Sequence, residues 1–320
     1  MSLWSRIGAA LLGLAVGALF LAYAFRGTPA AIVWGVLQAG HWGWPSAVVL
    51  GATALFVYAK AARWRLLLGT APALPLAPLV RSVLAGLALN ACVPHAGEFV
   101  RAFSLQRAYG RAASAVLSSI VAERVFDLFG VLILGSVALS FVRVSAELGD
   151  AFRLLAVVAA SLAALVVTAL AAPRLVRRIA AATVLPLPAG AGGWVLRQVD
   201  AALAGLAPVS SPALSVRVLA WSLAQWLAVA VAVQGCAAVV ALGAGAAAAM
   251  LVVVGIVVAF LLPNAPGYAG SVQVAFLVTL KPLGVPDERA LGASIVYQLL
   301  MVLPLVIAGL SVLRASLAKR

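Results

Sequence analysis

Glu98 and Arg101 stand one helical turn apart in an interrupted apolar run, GLALNACVPHAGEFVRAF, over residues 86–103. A carboxylate and a guanidinium at that spacing share a helix face and can pair. Two readings follow. Either the pair holds the segment shut, or Arg101 grips a phosphate through its planar fork of donors while Glu98 orients it. A second group, Glu123, Arg124 and Asp127, lies in the next apolar segment. Glu123 and Asp127 are four apart and share a face, with Arg124 turned partly away. Ionisable groups inside an apolar span read as functional, and a salt bridge to another helix is the competing role. His95, at the interruption, titrates near neutrality and is a hydrogen-bonded edge residue or a proton carrier. Asn90 and Asn264 are first of all partners for broken backbone. Tyr268 is a gate or an edge aromatic. Gly267 and Gly270 let backbone approach the first hairpin or a ligand.

An ordinary membrane helix cannot position these groups. Pro94 removes a backbone donor and clashes with the preceding turn. Glu98 is costly in hydrocarbon without a partner or water. Broken backbone at membrane depth is tolerated only where protein or a cavity satisfies it. The stretch therefore predicts a re-entrant hairpin over residues 82–111, with the chemistry at its tip. The half-helix that begins there presents free N–H groups and a dipole that favour an anion. A second interruption, Pro263-Asn264-Ala265-Pro266-Gly267-Tyr268-Ala269-Gly270-Ser271, breaks residues 247–282 in the same manner. AGEFVRAF (96–103) and AGSVQVAF (269–276) match at Ala, Gly, Ala and Phe in one register.

Composition sets the frame for both breaks. The 320-residue chain is 65% hydrophobic and only 9% charged, against roughly 25% charged in soluble domains. This predicts an all-α polytopic membrane protein. Six full spans are expected at 7–25, 46–62, 113–141, 151–172, 214–242 and 290–313, with residues 27–45 as a short loop. Two halves follow, 1–141 with hairpin 82–111 and 142–320 with hairpin 247–282. They form an inverted-topology repeat of the kind found in transporters. Residues 174–213 form an amphipathic cytoplasmic connection, with Trp194 to Leu206 lying on the membrane surface.

The net charge of +14 comes from cations at the ends of apolar runs. Anionic lipid and the positive-inside bias account for it, and nucleic acid is not needed. Lys60, Arg63 and Arg65 read as a basic exit from the second span. The basic ends place both termini in the cytoplasm of a cell inner membrane. Cys92 and Cys236 have no metal-ligand spacing, and no cofactor or metal is expected. No P-loop, zinc or hydrolase motif occurs, so the chain is not expected to be an enzyme.

Three motifs in order carry a family resemblance. They are Asn90…Pro94-x-x-Gly97-Glu98-x-x-Arg101, Glu123-Arg124-x-x-Asp127 and Pro266-Gly267-x-x-Gly270. Together they resemble the flippase-like membrane region of lysylphosphatidylglycerol synthases and its stand-alone relatives, over about residues 46–313. The resemblance implies movement of a phospholipid between leaflets, with Glu98, Arg101, Glu123, Arg124 and Asp127 as site candidates. No aminoacyltransferase domain accompanies the motifs, so lysyl transfer is not expected. Ala96 stands where the family often has a basic residue, which leaves the headgroup open. Membrane phospholipid is the expected partner, with a separately encoded lipid-modifying enzyme as a further one. The alternatives are an intramembrane enzyme and an accessory subunit acting on lipid-linked substrates.

Overall fold

Long apolar runs must satisfy their own backbone, and helices are how this chain does so. The computed structural model describes residues 3–69, 74–93, 96–142, 146–184, 189–261 and 264–317. The first half runs α1 (Leu3–Ala24), α2 (Ala30–Gln38), α3 (Gly43–Leu67), α4 (Leu76–Cys92), α5 (Ala96–Tyr109) and α6 (Ala113–Leu139). Then follow α7 (Ala146–Ala171), α8 (Pro173–Val184), α9 (Ala189–Leu206) and α10 (Pro212–Val239). The chain ends with α11 (Ala246–Ala259), α12 (Ser271–Leu280), α13 (Asp287–Tyr297) and α14 (Leu303–Leu317). A π turn at Gln298–Val302 fuses the last two helices into one rod. No strand occurs among the described residues.

Among the described residues, four helices are long and apolar enough to cross a membrane: Gly43–Leu67, Phe152–Ala171, Pro212–Val239 and Asp287–Ser316. The chain is an all-α polytopic membrane protein. Each of the six expected spans falls on a helix. α6 has span length at 27 residues but carries Glu123, Arg124 and Asp127 inside it. The members of the two broken pairs are shorter. α4 and α5 have 17 and 14 residues, α11 and α12 have 14 and 10. At about 1.5 Å per residue none reaches the roughly 30 Å of a hydrocarbon core.

One connection differs from expectation. Residues 27–45 are not simply a loop, because α2 forms within them and buries Val33 and Leu37. Pro29 at its start has the φ of −58° that leads into a helix, and α2 packs on α13. Within residues 174–213 the stretch Trp194 to Leu206 falls on α9, and α8 and a 3₁₀ turn at Ala207–Ser210 form besides it. The C-terminal part of α9 is seated on α6, where Gly205 lies against Ala115 and Ser118.

The core is built on the long α3–α10 contact, in which Gly235 sits directly on Pro45 and Val49. Around it the broken pairs interleave. α4 packs on α14, the last helix of the second half, and α11 packs on α6, the last long helix of the first. Likewise α5 packs on α6 and α12 on α13, while α3 packs on α4 and α10 on α11. Gly309 permits the first of these contacts, because a Cβ there would meet the Leu84 carbonyl.

Candidate functional site

At the first break, α4 ends at Cys92 and α5 starts at Ala96. Asn90 bridges the gap. Its Oδ1 accepts from the Gly97 amide at 2.7 Å, one of the orphan donors of the new helix, and its Nδ2 donates to Glu98 Oε1 at 3.3 Å. Gly86 and Gly97 bring the two backbones together, and a Cβ on Gly97 would collide with the Gly86 carbonyl. The Arg101 side chain then crosses over Gly86.

Arg101 does not pair with Glu98. It reaches α6 instead and forks onto Glu123, Nη2 to Oε2 at 2.6 Å and Nη1 to Oε1 at 3.4 Å. Its guanidinium lies over the Trp64 ring, 4.0 Å from the centroid, and the Trp64 indole donates to Ser119 Oγ at 3.2 Å. The one-turn spacing put Glu98 and Arg101 within reach of each other, but each found a charge on α6 first. Packing of α5 against α6 decides the pairing.

Glu123 and Asp127 share one face of α6, as their spacing requires, and two further cations meet them there. Lys60 pairs with Glu123 and stands 3.9 Å from Asp127. Arg63 Nη2 lies 3.0 Å from Glu123, and Nη1 donates to Asp127 Oδ1 at 2.6 Å and to Ser222 Oγ at 2.7 Å. Gln225 donates to the same Asp127 oxygen at 3.0 Å. No side chain of the five is more than 7% exposed. Among the described residues, three basic side chains meet two carboxylates in this cluster. The basic exit from the second span is thus only partly an exit. Arg65 is exposed, but Lys60 and Arg63 point inward. Their i, i+3 spacing, continued by Trp64, was the available signal, because it places all three on one face of α3.

Arg124 turns out of this cluster, as its place beside Glu123 implies, and pairs with Glu98. Its side chain is 46% exposed, against 13% for Glu98. The second break approaches this pair. α4 packs against the 3₁₀ turn Pro266–Tyr268, and Tyr268 lies within electrostatic range of Glu98, Arg124 and Cys92. Tyr268 is partly buried. It takes a positive φ of 59° and stacks on Phe260, with ring centroids 4.2 Å apart.

A chain of amides fixes the second break. The Gly270 N–H donates to Gln273 Oε1 at 2.8 Å. Gln273 Nε2 donates to Gln298 Oε1 at 2.6 Å, and Gln298 Nε2 donates to the Gly267 carbonyl at 3.1 Å. Gln298 opens the π turn of the last rod. Asn264 donates to the Phe260 carbonyl at 3.5 Å, at the end of α11. Gly267 (φ 70°) faces open space, whereas Gly270 (φ 83°) presses on the backbone of α1 at Gly17 and Leu21. The close approach expected toward the first hairpin is not what these glycines make: Gly270 meets α1 instead, and a Cβ on Gly267 would meet nothing within 4 Å.

The structure gathers Asn90, Glu98, Arg124 and Tyr268 at one junction, with Arg101, Glu123 and Asp127 buried beside it. Asn264, Gly267 and Gly270 shape the second break. His95 and Pro94 lie outside the described residues, as does Pro263. No group of three or more His, Cys, Asp or Glu side chains able to hold a metal occurs among the described residues.

Two comparisons with known proteins bear on this geometry. The family model described as the lysylphosphatidylglycerol synthase TM region matches residues 10–309. A search of curated proteins returned no match.

Proposed function

Since the chain belongs to the lysylphosphatidylglycerol synthase transmembrane-region family, a group of membrane proteins that act on lipids, we propose that it translocates a phosphate-bearing lipid between leaflets. The observation that carries this reading is the Arg124–Glu98 pair, with the arginine half exposed and the carboxylate mostly covered, beside the contact of α4 with the second break. The non-bridging oxygens of a phosphodiester accept from a guanidinium as carboxylate oxygens do, so a lipid phosphate competes with Glu98 for Arg124. In this reading the headgroup phosphate displaces Glu98 from Arg124. The buried basic side chains behind it, Arg63 and Arg101 among them, favour the anion.

Arg101 then has a supporting role. Its fork is filled by Glu123 and its face by Trp64, so it transmits the state of the cluster to α5 and does not itself meet the headgroup. Glu98 is the moving part, because α5 begins two residues before it. Asn90 then keeps its bond to the Gly97 amide, and the start of α5 loses its tie to Arg124.

Short broken helices support re-entry from the two sides, and the reciprocal packing supports the inverted repeat. Exchanging the halves maps α4 on α14 onto α11 on α6, and α5 on α6 onto α12 on α13. Both termini lie in the cytoplasm of the inner membrane in this arrangement, and transport needs no covalent chemistry.

Binding of short-chain phosphatidylglycerol to the purified protein tests the exchange. Arg124→Gln removes a charge-assisted contact worth about 1.5–3 kcal/mol, a loss of affinity of about 10- to 100-fold. Glu98→Gln removes the competitor and should tighten binding. Weaker binding in Glu98→Gln with wild-type folding would defeat the exchange.

A further inference from the structure

The connection between α7 and α10 contains a feature that the translocation site does not use. α8 begins one residue after α7, at Pro173. α7 carries a largely lipid-type surface, with Leu154, Val157, Leu165 and Val167 all exposed. The start of α8 is therefore at the membrane boundary. At 100° per residue its sequence, PRLVRRIAAATV, separates cleanly. Arg174, Arg177 and Arg178 fall on one side. Leu175, Val176 and Ile179 fall on the other.

We propose that α8 lies in the headgroup layer and selects anionic lipid, with Leu175 and Ile179 in the acyl region and Arg174 and Arg178 on lipid phosphates. Leu175 and Ile179 are one turn apart and 51% and 57% exposed. No residue of α8 is buried, so protein covers little of this helix. α9 holds its other flank, through Arg177 Nε and Asp200 Oδ1 at 3.0 Å. That bridge orients α8 and uses one arginine. Arg174 and Arg178 have no carboxylate partner among the described residues, and both are exposed. An apolar face continuous with a lipid-facing span, bordered by two uncompensated arginines, is complementary to an anionic leaflet. A protein partner would need its own acidic rim and would have to compete with lipid at that level. On α9, Trp194 is 57% exposed and adds an aromatic anchor of the kind favoured at the same depth.

The test uses the full chain in lipid nanodiscs. Cys92→Ser and Cys236→Ala clear the background, and Ile179→Cys carries an environment-sensitive fluorophore. Aqueous iodide and a nitroxide high on the acyl chain report its depth. In discs containing phosphatidylglycerol, the label should be shielded from iodide and quenched by the nitroxide. Phosphatidylcholine discs should shield it less. An arginine near an anionic surface is worth about fivefold in such an equilibrium. Arg174→Gln with Arg178→Gln should therefore cut docking in phosphatidylglycerol discs by about 25-fold, leaving shielding as in phosphatidylcholine. Iodide access equal in both discs would overturn the proposal. So would shielding without nitroxide quenching, which means a protein covers the helix, and so would shielding unchanged in the double variant. Lipid movement is not read, so the result stands apart from the translocation reading.

Discussion

Glu123 is the residue on which most of the buried charge depends, and Glu123→Gln is the severest conservative change available. The substitution keeps shape and removes one charge. Lys60, Arg63 and Arg101 all contact this carboxylate, and Asp127 alone would then face three cations. Removing one member of a buried ionic set costs about 3–5 kcal/mol, because the partners stay buried without compensation. Here three partners are left, so the upper part of that range is expected. A protein with a total stability of roughly 5–15 kcal/mol would lose a large fraction of it. Unfolding by SDS titration in mixed micelles measures this, with recovery from a size-exclusion column as a check. The companion variant is Arg63→Met with Glu123→Gln, which restores the balance by removing one cation. It should regain about half of the loss. A Glu123→Gln protein within about 0.5 kcal/mol of wild type, the scatter of ordinary surface changes, would refute the claim that these charges form one interdependent set.

Other expectations follow from the breaks. Asn90→Ala removes the acceptor for the Gly97 amide and should cost about 0.5–2 kcal/mol, the usual range for a lost cap, measured by the same titration. Gly97→Val puts a side chain into the Gly86 carbonyl and should prevent recovery of folded protein, whereas Gly51→Val, where nothing lies within 4 Å, should be recovered normally. Gly267→Ala meets open space but keeps a positive φ, so it should lose only the roughly 1–2 kcal/mol of left-handed strain. Gly270→Ala adds a clash with α1 and should lose clearly more. Trp64→Leu takes away the ring beneath Arg101 and a hydrogen bond to Ser119. Its cost should be about 2 kcal/mol, and a Trp64→Leu protein as stable as wild type would show that the stacking contributes nothing.

The sequence displays its breaks plainly. Proline and glycine have few uses inside a membrane helix, so Pro94, Pro266, Gly267 and Gly270 mark both interruptions by residue type alone. The face shared by Glu123 and Asp127 is equally legible, because helical spacing fixes it. Pairing is not. Glu98 and Arg101 satisfy a local rule, but α5 packs on α6, and the tertiary partners Arg124 and Glu123 win. Lys60 and Arg63 are hidden by a sound generalisation, since cations after an apolar run usually mark a membrane edge. Only the packing of α3 against α6 turns them inward. α2 escapes for a related reason. A helix of 9 residues gives a weak periodic signal, and its existence depends on what it rests against.

Lipid movement by the purified protein tests the central claim most directly. Liposomes made with fluorescent phosphatidylglycerol are exposed to an impermeant reductant, which bleaches only the outer leaflet. With wild-type protein, bleaching should proceed beyond the outer-leaflet half. Arg124→Gln should slow the added phase by about 10- to 100-fold, while Arg65→Gln, an exposed change outside the charge cluster, should leave it intact. Bleaching that stops at the outer leaflet with folded wild-type protein would contradict the account, and so would a full added phase in Arg124→Gln.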